Sequence, residues 1–170
     1  MTRIRPARST DAMAIVSIIE DRLPDSRYAG IAQVDAMAAR KLFAYAAQRH
    51  GGTNDGATFL MVAEDDEGEV EAFMLGSLAR VYMVFDILAA SDSFLLGRKE
   101  CDPRAMPALL DAYIAWAEAN PRVVEIGLSW ADTIPGHEAI IHAYERRGFT
   151  LCSKAFRRAT QAATTRKEAA

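Results

Sequence analysis

At 170 residues the chain falls within the size range of one domain that buries its own core without disulfides or metal. Its 51% hydrophobic and 25% charged residues are ordinary for a globular protein, and no apolar run approaches the roughly 20 residues of a bilayer-spanning helix, so no membrane partner is expected. A net charge of -3 argues against a general nucleic-acid binder, although basic residues gather at both ends, and Cys101 and Cys152 lie at no metal-ligand spacing, so no metal site is expected.

Behind the basic start Met1 to Pro6 there is no apolar segment, so no export signal is expected and the expected compartment is the cytosol. Ile4-Arg5-Pro6-Ala7 reads as an edge strand, because proline has no amide hydrogen for a second neighbour. Ser9, Thr10 and Asp11 then offer a helix cap, Ala12, Ile15, Val16 and Ile19 recur at helical spacing, and Pro24 closes the segment. A second helical period runs from Ile31 to Gln48 through Val34, Met37, Ala38, Leu42 and Tyr45, ending at Gly51-Gly52. Thr58 to Ala63 and Val70 to Leu78 read as an antiparallel hairpin across the acidic turn Glu64 to Glu69, which carries Gly68.

Arg80 to Asp92 is apolar at uneven spacing and reads as an ordered connection, followed by a strand over Ser93 to Leu96. Arg104 to Ala119 is helical, with Leu109, Leu110, Tyr113, Ile114 and Trp116 on its buried side. Arg122 to Trp130 is strand-like, Gly136 to Arg147 is helical and stopped by Gly148, and Phe149 to Arg157 reads as a closing strand. The predicted fold class is α/β (α+β): one domain over 1–158 with a central mixed, mostly antiparallel, twisted sheet flanked by helices, and a basic Ala/Thr-rich tail over 159–170.

This element order, with Ala139 to Phe149 ending in Tyr144-Glu145-Arg146-Arg147-Gly148-Phe149, resembles the GCN5-related N-acetyltransferases over residues 3 to 158, most of all their short phage- or prophage-encoded members. The resemblance implies transfer of an acetyl group from acetyl-coenzyme A to an amine by direct attack. It makes Tyr144 the acid that protonates the departing thiolate, a role suited to a phenol with pKa about 10. Glu125, on the fifth strand, or Asp92, before the fourth, is available to take the proton of the amine. Leu95 and Leu96 on the fourth strand would border the pantetheine arm, and Ala105 would open the helix that faces the pyrophosphate. His137 falls near the position where many relatives carry an asparagine that contacts the coenzyme.

The phosphate loop departs from the family pattern, because aligning Leu109-Leu110 with the family's paired leucines puts Asp102, Arg104 and Met106 where glycines belong. Glycines there let phosphate approach the amides at a helix start, whereas Asp102 brings negative charge and Pro103 removes a donor. Either Arg98, Lys99 and Arg104 neutralise the pyrophosphate with side chains, or Asp102-Pro103 simply caps and starts the helix. Two functions follow: an acyl-coenzyme A dependent N-acyltransferase with an unidentified amine acceptor, or a noncatalytic binding or assembly module, for example in a phage particle, associating through the C-terminal tail.

Overall fold

The computed structural model describes residues 2–129, 138–153 and 155–161. Pro6 ends β1 (Arg3–Pro6), which lies at the sheet edge as its missing amide hydrogen requires, and pairs antiparallel with β2 (Thr58–Glu64). Between them run α1 (Ala12–Arg22) and α2 (Ala36–Gln48), the latter capped by Asp35, whose side chain accepts the Ala38 amide at 2.9 Å. The hairpin forms as expected between β2 and β3 (Val70–Arg80), and the Asp65 carboxylate holds its tip by accepting the amides of Glu67 and Glu69. Then follow β4 (Leu88–Gly97), α3 (Ala105–Glu118), β5 (Val123–Gly127) and α4 (Glu138–Glu145). The sheet order is β1-β2-β3-β4-β5, antiparallel except for the parallel β4–β5 pair, so the mixed and mostly antiparallel architecture is as expected.

Strand alternation sends side chains to both sheet faces, and each face is covered by helices. Phe59, Met74, Leu78, Leu88 and Ala90 pack with Leu109, Leu110 and Tyr113 of α3. Leu60, Val62, Phe73 and Leu75 pack on the other side with Ile15, Val16 and Ile18 of α1 and Phe43 and Ala46 of α2. At about 1.5–3 kcal/mol for each large side chain fully buried, these two layers supply the main driving force for the fold. Among the described residues no helix is long and apolar enough to cross a membrane.

Four expectations change. The 80–92 segment is not all connection: β3 continues to Arg80, Val81–Met83 form one 3-10 turn, and β4 begins at Leu88, so Asp92 stands inside the strand. Tyr82, Met83, Val84 and Phe85 are apolar yet exposed, so hydrophobicity alone does not mark where the strand starts. On α2 the stripe of Met37, Leu42 and Tyr45 faces solvent, whereas Phe43 and Ala46 face the sheet with Ala36 and Ala39 partly packed. Small alanines bring the helix close to the sheet, a placement that hydrophobicity alone does not reveal. The helix also starts at Ala36 rather than Ile31. Finally, described residues of the 149–157 segment form no strand; β5 ends the sheet, with Leu151 and Phe156 exposed.

Candidate active site

β4 and β5 run side by side only from Leu88↔Val123 to Ser91↔Gly127, beyond which β4 continues to Gly97 without β5 beside it. Asp92 stands at the point of parting. Its Oδ1 accepts the Ser129 amide at 2.7 Å and the Ser129 hydroxyl at 2.6 Å, tying the chain that leaves β5 to the middle of β4. The register between β3 and β4 shifts there: Leu75 pairs with Phe94 and Gly76 with Asp92, leaving Ser93 as the extra residue of a bulge. The bulge resets the alternation, so Phe94 turns to the α1–α2 layer with Phe43 and Phe73, while Leu95 joins the α3 layer.

Two phenols approach Asp92 from the α3–α4 side. Tyr144 is nearly buried and its hydroxyl points to the Ser129 carbonyl at 3.4 Å, a long hydrogen bond that leaves the group open to a better partner. Burial, then the Asp92 charge, pushes its pKa up to about 12, so it holds its proton at neutral pH. Tyr113 is wholly buried, its ring lying over Gly76, where a Cβ would come within 2.4 Å of Cε2. The Tyr113 hydroxyl has no hydrogen-bond partner among the described residues, a state that costs about 1–3 kcal/mol when the group stays dry. Its pKa is raised by burial first and then by Asp92 and Tyr144, which places all three groups within electrostatic reach of one another. Burial likewise raises the pKa of the Asp92 carboxyl, against the opposing pull of the two Ser129 donors.

The Tyr-x-x-x-Gly-Phe motif acquires a physical meaning. Gly148 takes the left-handed conformation (φ +83) that stops α4, its amide donating to Glu145. The chain then turns back, the Phe149 amide donates to the Tyr144 carbonyl at 3.2 Å, and the two rings pack at 6.1 Å. Arg147 bonds Asp111 on α3 and the Ala143 carbonyl, fixing the end of α4 against α3. Tyr144 is therefore held from three sides.

The other expected site residues divide. Leu95 and Leu96 lie on the stretch of β4 that β5 leaves unpaired. Glu125 is exposed and sits in register with Ala89, one position from Ile126, which packs in the α3 layer with Tyr144. Neighbours on a strand face opposite ways, so Glu125 does not join Asp92 and Tyr144. His137 lies outside the described residues. Ser129, Tyr113 and Gly76 were not singled out by sequence reasoning as site residues; a serine just past a strand and a tyrosine on an apolar helix face carry no signal of their own.

At the start of α3, Ala105 is buried and its amide donates to the Asp102 carbonyl at 2.9 Å. Arg98 pairs with Asp21 at 2.5 Å, Lys99 with Asp25 at 3.0 Å and Arg104 with Asp102 at 2.7 Å. Hydrogen bonds from Arg104 hold the Asp102 carboxyl well below the usual carboxylate range. Cys101 packs against Gly97, and burial with the Glu71 charge pushes its thiol up, away from nucleophile behaviour.

No protein-family model matches the sequence, and no curated protein matches it. Solved structures do. The chain superposes on glucosamine-6-phosphate N-acetyltransferase from Arabidopsis thaliana with a TM-score of 0.66 at 10% identity, covering 94% of this chain and 98% of that one. It is similar to a ribosomal-protein-alanine N-acetyltransferase from Brucella melitensis biovar Abortus 2308, with a TM-score of 0.64, 14% identity and coverage of 94% and 99%. It is also similar to a transcriptional regulator from Bacillus halodurans C-125, with a TM-score of 0.68 at 15% identity and coverage of 94% and 100%. At such identities the likeness establishes the fold, which is that of the GCN5-related N-acetyltransferases.

Proposed function

We propose that the chain is an N-acyltransferase that moves an acyl group from a thioester such as acetyl-coenzyme A to an amine. The observation that carries this reading is the cluster of Asp92, Ser129 and Tyr144 at the point where β4 and β5 part. The amine nitrogen attacks the thioester carbonyl, a nitrogen–carbon bond forms, and the carbon–sulfur bond breaks. Asp92 takes the proton that nitrogen loses, and Tyr144 gives one to the departing sulfur. Both groups regain their starting state by exchange with solvent. The raised pKa of Asp92 makes it a better base than an ordinary aspartate, and that of Tyr144 keeps the acid charged with its proton. Several of the similar structures are acetyltransferases, which favours the same chemistry.

The test is thiol release from acetyl-coenzyme A with a panel of primary amines. Tyr144→Phe is expected to lower turnover by on the order of 10²-fold or more while the melting temperature is retained. Unchanged turnover in that variant would refute the acid role. A second reading, a noncatalytic module on the same fold, is favoured by one observation: each cation of the α3 loop is already paired with a carboxylate of the chain. Absence of binding by acetyl-coenzyme A in calorimetry would decide for it.

A further inference from the structure

Resting on the acyltransferase reading, we infer that the acyl donor is recognised through its pantetheine thioester arm and not through the nucleotide diphosphate, because the chain's own carboxylates take up donors of the segment that leads into α3. A helix start binds phosphate with free backbone amides and the positive end of its dipole. Here three amides of the segment that leads into α3 are engaged within the chain. The Asp102 amide donates to Glu71 Oε2 at 2.9 Å, Pro103 has none, the Arg104 amide donates to Asp102 Oδ1 at 2.8 Å, and the Ala105 amide donates to the Asp102 carbonyl.

Glu71 decides the matter. It belongs to β3 and is only 8% exposed, with Thr2 donating to its other oxygen at 3.3 Å. An arriving diphosphate would have to take the Asp102 amide from it and leave a nearly buried carboxylate short of a donor, with two like charges side by side. The cations offer less obstruction, since Arg98, Lys99 and Arg104 make exposed ion pairs that contribute little to stability and can exchange partners. Their partners remain, however. Asp21, Asp25, Glu71 and Asp102 stay beside Arg98, Lys99 and Arg104, so an arriving polyanion meets acid as well as base where it needs an excess of base.

Among the described residues nothing comparable closes the other end of the donor's path. From Asp92 to Gly97 the edge of β4 has no β5 beside it, and an arm that carries two amides can pair with such an edge as an added strand does. The substrate class is therefore an acyl thioester of pantetheine, with the nucleotide part making no directed contact at this loop.

Binding to the full chain, measured by thermal shift and calorimetry with coenzyme A, pantetheine and adenosine 3′,5′-bisphosphate as probes, tests this without knowledge of the amine. Coenzyme A and pantetheine are expected to bind within about threefold of each other, and the bisphosphate not at all at millimolar concentration. The double variant Asp102→Gly/Pro103→Gly, which frees loop donors, is expected to tighten coenzyme A by about tenfold and leave pantetheine unchanged. Coenzyme A binding more than about tenfold tighter than pantetheine, with that advantage lost in Arg104→Ala, would overturn the inference and leave the acyltransferase reading standing. Binding of neither thiol would overturn both.

Discussion

Asp92 is held by two donors on one oxygen, and this fixes how its charge responds to pH. Burial raises its pKa while Ser129 lowers it, so in the folded protein the carboxyl ionises above the ordinary aspartate range but below where burial alone would set it. As the base in acyl transfer it works ionised, and turnover should rise with pH through that raised value and fall away on the acid side. Ser129→Ala removes the hydroxyl donor but keeps the amide, so the carboxylate is less stabilised and the acid limb moves to higher pH. Asp92→Asn should lose the limb along with most of the rate. The check is the pH dependence of kcat/KM for each variant over the range in which melting temperature is constant. An acid limb that stays in place in Ser129→Ala would assign it to another group. Glu125, exposed on the opposite face of β5, should tolerate Gln with turnover near that of the unaltered chain.

At the scale of elements, α2 separates what is buried from what is merely apolar. Phe43 is 1% exposed and packs edge-on against Phe73 at 5.4 Å and near Phe94 at 6.0 Å, while its neighbour Leu42 is 47% exposed. Phe43→Ala should destabilise by about 3–5 kcal/mol through lost burial and the cavity left behind. Leu42→Ala should stay within about 0.5 kcal/mol, as a surface change does. Urea unfolding of the two variants measures the contrast, and a comparable loss in both would mean that a partner covers the outer stripe. The same helix shows where sequence reasoning worked and where it stopped. Period, caps and breakers located both early helices, the hairpin, α3 and α4, because proline, glycine and apolar spacing act locally. The choice between the two apolar faces of α2 depends on how close Ala36, Ala39 and Ala46 let it come to the sheet, which is a tertiary matter. In the site, Tyr144 was legible from its motif, as a residue followed by the glycine that ends its helix. Its companions were not: Ser129 reaches Asp92 across 37 positions of sequence and Glu71 reaches Asp102 across 31, and no local pattern records either meeting.

At the scale of the whole molecule, one five-stranded sheet is the shared wall of two apolar layers, and neither layer closes without it. Ile15 and Leu109 are both fully buried, the first in the α1–α2 layer and the second in the α3 layer. Truncating either to Ala should cost about 2–5 kcal/mol. For a domain of this size that is a fall in melting temperature of about 2–4 °C per kcal/mol. Because the sites lie on opposite faces and share no contact, the double variant should lose the sum of the two to within about 0.5 kcal/mol. Trp116 packs in the α3 layer, so its fluorescence in a Trp130→Phe background reports that face alone. If the sheet couples the layers into one cooperative unit, Ile15→Ala must shift the Trp116 transition as far as it shifts the loss of helical circular dichroism. A Trp116 transition that ignores Ile15→Ala would mean that the α3 layer and the site built on it stay folded when the other face has opened. In that case the site would answer to its own local stability, and substitutions in α1 would leave Asp92 and Tyr144 in place.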